Sequence, residues 1–277
     1  MKFANYTIFE KDFRLFGLEY AVEHTKKLGL DAVEFICLPR VKRYIFERRE
    51  DARAAKKLLD SQKIPVSCYS MYVDLFKGES DDFELALHNI DCAAELGSPY
   101  FHHTFIPSAV YPSPRPSYEA ALNAVLEKAE IIAERCADYG ITCLYEPQGL
   151  YMNGVEGLSG ILSEMKKRHA NVGICGDSAN SFFVDTPPED IYASFKDDIK
   201  HIHVKDYLVC EPDGSECRYR SLKGKYIREA ALGSGSVDFP KIFSILPDYS
   251  GDISMEFAAS DEEMREAVEY IRTLACR

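Results

Sequence analysis

Acidic and imidazole side chains interrupt stretches of this chain that are otherwise apolar. Glu34 falls in AVEFI (32–36), His102 and His103 in YFHHTF (100–105), and Glu146 in ITCLYEP (141–147). Asp177 ends NVGICGD (171–177), His201 and His203 punctuate IKHIHVKD (199–206), and Glu256 lies in DISMEF (252–257). Taken singly, each has a plain alternative, an ion pair at the edge of a sheet. Glu146, Asp177, His203 and Glu256 weigh more as a set. They come from four successive segments at gaps of 31, 26 and 53 residues. The first two gaps are close to one strand-plus-helix unit. The third spans one such unit lengthened by a loop. Three carboxylates side by side repel one another unless a cation neutralises them. Three oxygen donors and one imidazole suit Mn²⁺, with Mg²⁺ or Co²⁺ as alternatives, better than a structural zinc, which prefers sulfur and nitrogen. His201 and His203 share parity along their strand and point to the same side. His203 lies nearer the end where chemistry is expected, so it is the expected ligand and His201 a neutral core or supporting histidine.

Positioning such a set requires strands that end together. The chain alternates short β-rich runs with longer stretches of helical spacing, eight times over. The predicted strands are 3–9, 32–36, 65–71, 100–105, 141–147, 171–177, 199–206 and 252–257. The predicted helices are 17–28, 48–62, 81–96, 117–139, 157–169, 187–198, 238–246 and 261–275. Gly29, Gly97 and Gly140 are helix stops, and Ser117, Thr186 before Pro187, and Asp238 before Pro240 are helix starts. The strands are apolar almost throughout, the pattern of parallel strands covered by helices. The fold class is therefore α/β, a single (β/α)₈ barrel over 1–277, with a long loop 207–232 after the seventh strand. An open doubly wound sheet would want a glycine-rich turn after its first strand, and the residues after Phe9 are EKDFR. In a barrel, chemistry sits at the C-terminal strand ends, where the four residues would converge.

Composition narrows the class. With 33 Lys and Arg against 45 Asp and Glu, the net charge is −12. Nucleic acid and anionic membranes both call for a basic surface, so neither is an expected partner. No run of 18 apolar residues occurs, and MKFANYTIFEKDFR carries charges where a signal peptide needs its apolar stretch. The nine cysteines are odd in number and form no Cys-x-x-Cys pair. They are read as reduced core thiols of a cytoplasmic protein.

The segments YEP (145–147), CGDSAN (175–180), HIHVKD (201–206), LGSGSVDFPKIF (232–243) and SMEF (254–257) resemble the xylose isomerase-like barrel family of sugar phosphate isomerases and epimerases. The resemblance spans essentially the whole chain and is densest over 141–257. It implies a divalent metal on Glu146, Asp177, His203 and Glu256. It also implies proton removal from a carbon beside a carbonyl, with a metal-stabilised enediolate and Glu146 and Glu256 as the acid/base pair. The implied partner is a small-molecule carbohydrate, and barrels of this family often associate as dimers or tetramers, so a homo-oligomer is in view.

Further candidates for substrate contact are Glu34, as a third acid/base group, and Gln148, placed to meet a sugar hydroxyl. His103 lies where the family often places a substrate or second-metal histidine, with a packed core histidine as the alternative. Lys205 would bind a substrate oxygen or balance the acids. Ketohexose 3-epimerases of the family follow Glu-Pro with Asn-Arg and a further Glu, where this chain reads EPQGLYM. Their Asp motif ends in His, where this chain has Asn180, which is a further candidate for substrate contact. Their Arg soon after the seventh strand has only Arg228 as its stand-in here. The metal pattern is kept while the free-sugar pattern is not, which points to the same chemistry on another substrate, a ketose or keto-glycoside. The basic and tyrosine-rich loop 207–232 is read either as a solvated loop or as a lid over a larger glycoside, and 106–116 as a stiff proline-rich wall. The alternatives are a lyase on the same scaffold (an inosose-type dehydratase or a carbon-glycoside cleaving enzyme), a phosphodiester endonuclease, and a sugar-binding barrel without catalysis. Asn180 and the acid excess count against the endonuclease.

Overall fold

Strands buried on both faces must be parallel and covered by helices, and the chain builds that arrangement. The computed structural model describes residues 1–6, 13–38, 46–77 and 82–275. In chain order the elements begin β1 (Phe3–Tyr6), α1 (Phe13–Lys27), β2 (Ala32–Cys37), α2 (Arg49–Gln62), β3 (Val66–Met71) and α3 (Asp82–Leu96). Next come β4 (Tyr100–His103), α4 (Tyr118–Asp138), β5 (Thr142–Tyr145), α5 (Gly154–Arg168), β6 (Val172–Asp177) and α6 (Pro188–Phe195). The last are β7 (Ile199–Val204), β8 (Asp206–Cys210), β9 (Tyr219–Arg220), β10 (Tyr226–Ala230), α7 (Phe239–Ile245), β11 (Asp252–Met255) and α8 (Asp261–Ala275). A 3₁₀ turn, Asn180–Val184, follows β6.

Strands β1 to β7 and β11 pair in parallel and close into a barrel, with β11 between β7 and β1. With the eight helices this is a (β/α)₈ barrel. Local sequence explains the parts. In α2 the spacing of Ala52, Ala55 and Leu59 puts one buried stripe against the sheet. Ser117 caps α4, accepting from the Ala120 N–H at 3.1 Å. Asp238 caps α7 through the Lys241 N–H. The helix predicted from residue 17 starts earlier and is kinked there, because Gly17 takes φ 85°. Among the described residues no helix is long and apolar enough to cross a membrane.

One sequence expectation changes. The first strand is described over Phe3–Tyr6, and residues 7–9 of the predicted 3–9 lie outside the described part, as does Cys276. The other eight cysteines are free thiols, six of them buried. The segment read as a loop over 207–232 instead carries a three-stranded antiparallel sheet, with β10 between β8 and β9. Its strands hold because Tyr226 and Ile227 bury their side chains, 3% and 1% exposed. The sheet is tied to the turn after β6: Phe183 packs edge-on against Tyr207 and Tyr219, and Ser221 Oγ donates to Asp185 at 2.6 Å.

Candidate metal centre

Four strand ends bring the expected residues together. Glu146 follows β5, Asp177 is the last residue of β6, His203 is next to last in β7, and Glu256 follows β11. The β6–β7 register sets Asp177 beside His203. The Glu256 N–H donates to the Val204 carbonyl at 2.9 Å, which carries the ladder one residue past β11. One nitrogen or oxygen from each of the four lies within 4.8 Å of the others. Glu146, Asp177 and His203 are buried, and Glu256 keeps 15% of its side chain exposed.

Each side chain is held from behind. Asp177 Oδ1 accepts from the Ala179 and Asn180 N–H groups at 2.8 and 2.6 Å, which leaves Oδ2 facing the cluster. The Asn180 amide donates to Glu146 Oε1 at 2.6 Å, and His102 Nε2 lies 2.9 Å from Glu146 Oε2. His203 Nε2 lies 2.9 Å from Glu34 Oε1, which turns Nδ1 to within 3.1 Å of Glu256 Oε2. Lys205 Nζ stands 2.9 Å from Asp177 Oδ2 and 3.1 Å from Glu256 Oε2.

The donor set fits a divalent cation. Among the described residues Asp177 Oδ2, His203 Nδ1 and Glu256 Oε2 are buried and lack a hydrogen-bond partner of proper geometry. They are also the atoms that converge, and they are hard oxygens with one imidazole nitrogen.

Electrostatics separates the acids. Burial pushes Glu146 up to about 7, and the neighbouring Glu256 adds to the rise against Lys205 and His203. Burial likewise lifts Asp177 to about 7, although Lys205 opposes it. Burial works against the charge on Glu256 too, but there Lys205 and His203 prevail and hold it at about 2. Around His203, burial disfavours the charged ring, while Cys175, Glu34 and Glu256 outweigh it and raise its pKa well above the imidazole range.

The remaining candidates divide. Lys205 and Asn180 are in the cluster, Asn180 as a donor to Glu146. Gln148 follows at the same strand end, half-buried, with Oε1 unpartnered among the described residues. Gly149 beside it is required: its φ is 70°, and a Cβ would lie 2.0 Å from the Ile106 carbonyl. His103 does not reach the cluster. It turns to the other side of β4, where its ring packs on Phe105 and Tyr145 and Nδ1 meets the Thr104 carbonyl at 2.9 Å. Arg228 is spent on Asp213, at 3.0 Å, and Ser215 within the added sheet. Glu34 is fully buried inside the barrel, with both oxygens accepting from protein groups. A contact with substrate is therefore not what these three placements offer. Ser70 and Ser254, which stand behind the cluster, had no place in the sequence reading, and His102 was named there beside His103 without a role of its own. For His102 the signal was present: adjacent histidines on a strand point to opposite faces.

The sequence profile of the xylose isomerase-like TIM barrel family matches residues 22–274. No curated protein matches the chain in sequence. Several solved structures share the fold at low identity. The probable 3-DHS dehydratase AsbF of Bacillus anthracis is 16% identical over 98% of this chain and 99% of its own, with a TM-score of 0.73. The 3-keto-D-glucoside 4-epimerase YcjR of E. coli is 16% identical over 99% of each chain, also at 0.73. A xylose isomerase-like TIM barrel protein from Mycobacterium smegmatis, in complex with magnesium, is 16% identical over 93% of this chain and 88% of its own, at 0.69. At such identities the likeness concerns the fold. With the profile covering nearly all of its length, the chain belongs to the xylose isomerase-like TIM barrel family.

Proposed function

We propose that this chain is a divalent-metal-dependent sugar isomerase or epimerase that removes a proton from a carbon beside the carbonyl of a ketose or keto-glycoside. The observation that carries the reading is the convergence of Glu146, Asp177, His203 and Glu256 on one point at the strand ends, with Asp177 Oδ2, His203 Nδ1 and Glu256 Oε2 turned toward one another. Those four residues would hold the ion, with Mn²⁺ the first choice and Mg²⁺ or Co²⁺ the alternatives. Bound there, it supplies Lewis-acid stabilisation of the negative charge that develops on the substrate carbonyl oxygen.

The chain's own groups handle the proton. A C–H beside a carbonyl needs a base within hydrogen-bond reach, and Glu146 and Glu256 are the two carboxylates available. Environments that push two acids apart, about 7 for Glu146 and about 2 for Glu256, are how one site keeps an acid and a base at the same pH. Asn180 donates to Glu146 Oε1 and keeps the carboxylate from rotating. Lys205, paired with Asp177 and Glu256, would bind a substrate oxygen. Gln148 Oε1 can accept from a sugar hydroxyl. Return of the proton to the opposite face gives an epimer, and return to the neighbouring carbon gives an isomer.

Elimination is the second reading, because it shares the first step: the carbanion expels a group from the next carbon. What favours it is that the probable dehydratase matches this fold as well as the epimerase does. Incubating the Mn²⁺-loaded protein in D₂O with ketohexoses, inososes and 3-keto-glucosides, read by mass spectrometry, tests both. Metal-dependent gain of one mass unit without loss supports the isomerase or epimerase. Loss of water or an aglycone selects the lyase. Metal binding with neither outcome on any substrate contradicts the reading.

A further inference from the structure

Glu34 lies on β2, and β1 and β11 separate that strand from β7 around the barrel wall. Its contacts to β7 therefore cross the barrel interior. Oε1 accepts from the Ser70 hydroxyl and from His203 Nε2 at 2.9 Å. Oε2 accepts from the Ser254 hydroxyl and from His201 Nε2 at 2.7 Å. Among the described residues, four donors reach the oxygens of this one carboxylate. A buried carboxylate is seldom the cheapest way to fill a core, since apolar residues of similar volume are often as stable or more so.

The directions of these bonds fix two imidazoles. Because Glu34 accepts from Nε2–H of His203, the other nitrogen, Nδ1, is turned toward Glu256. The Ser70 hydroxyl donates to Glu34, so its oxygen can only accept from His102 Nδ1, 2.9 Å away. His102 is thereby held with Nε2 against Glu146 Oε2 at 2.9 Å. One carboxylate thus orients His203 directly and His102 through Ser70; with its proton on Nδ1, His102 presents Nε2 as an acceptor to Glu146 Oε2, a contact made while Glu146 carries its own proton.

We infer that Glu34 is the positioning residue of the metal centre: it sets the ring orientation and tautomer of His203 and, through Ser70, of His102. The inference rests on the metal-centre reading proposed above. Outer hydrogen bonds of this kind, when lost, cost metal affinity by about 10- to 100-fold.

Two measurements test it, and the first needs no variant. In ¹⁵N-labelled native protein, two-bond ¹H–¹⁵N correlation should find His203 protonated at Nε2 and His102 protonated at Nδ1. An unprotonated Nε2 on His203, or a His102 that carries its proton on Nε2 alone, overturns the inference. The second is Mn²⁺ titration of the native chain, Glu34→Gln and Glu34→Ala, followed by electron paramagnetic resonance, with circular dichroism to check folding. Glu34→Gln keeps the shape, but its one amide oxygen cannot accept from both imidazoles as the carboxylate does. The expected result is an affinity lowered by about tenfold or more in folded variants. Native binding with unchanged variants overturns this inference alone. A native chain that takes up no Mn²⁺ overturns it together with the metal-centre reading.

Discussion

Glu146 and Glu256 share one site but not one environment. Asn180 and His102 flank the first, and Lys205 and His203 flank the second. If these two carboxylates carry the proton, Glu146→Gln and Glu256→Gln should each slow solvent-deuterium incorporation into substrate by about 10²- to 10⁴-fold. Circular dichroism of the same variants should be unchanged. A residual rate within a few-fold of native for either would remove that residue from the acid/base pair. At this scale the sequence was readable where a polar side chain broke an apolar strand, as at Asp177 and His203. It was not readable where two polar neighbours competed. His102 and His103 look alike in YFHHTF, and only the pleat and the partners on β3 and β5 decide that His102 meets Glu146. Nor could the burial of Glu34 be read, since its partners Ser70, His201 and Ser254 are 36, 167 and 220 residues away.

The turn between β10 and α7 is gathered around one carboxylate. Asp206 accepts from the N–H groups of Gly233, Gly235 and Val237, at 3.0, 2.9 and 3.2 Å. A Cβ on Gly235 would come within 2.2 Å of Asp206 Oδ1, so the turn is built around the carboxylate. Asp206→Ala should therefore speed amide hydrogen exchange at Gly233, Gly235 and Val237 while leaving the barrel strands protected. Unchanged exchange at these three amides would show that the turn holds without it. The Ser117 cap of α4 makes a smaller claim: Ser117→Ala should cost about 1 kcal/mol in denaturant unfolding. Elements with strong local signals, such as Ser117 before α4 or Gly140 after it, were legible nearly to the residue. The sheet β8–β10–β9 was not, because its pairing joins residues up to 24 apart, Asp206 to Ala230. Alternation along YIREA is weak evidence until Tyr226 and Ile227 find their cover.

The whole molecule responds to pH through the same acids. In the metal-free protein Glu146 and Asp177 keep their protons to about pH 7, against ordinary values of 4.5 and 3.8. Over that window the folded state binds more protons than the unfolded chain, so stability falls as pH rises. His203, raised above 6.5, adds a loss of the same sign beyond that value. Glu256, lowered from 4.5 to about 2, contributes stability that is present above 4.5 and disappears as the pH falls toward 2. Denaturant unfolding of chelator-treated protein should thus show stability declining between about pH 5 and pH 8. Added Mn²⁺ should restore more stability at the upper end, since the ligands must release protons to bind it. A flat profile with and without metal would contradict this coupling.

The most direct measurement ties occupancy to chemistry. Protein stripped of metal would be titrated with Mn²⁺ while bound ion and deuterium incorporation into a responsive keto-sugar are followed together. The expected result is exchange that is absent without metal and rises in proportion to occupancy, reaching its limit as a single tight site fills. In Asp177→Asn and His203→Asn both signals should weaken together. Exchange that persists in the stripped protein, or full occupancy with no exchange by any keto-sugar, would contradict the claim that these four strand ends form a metal centre for proton abstraction.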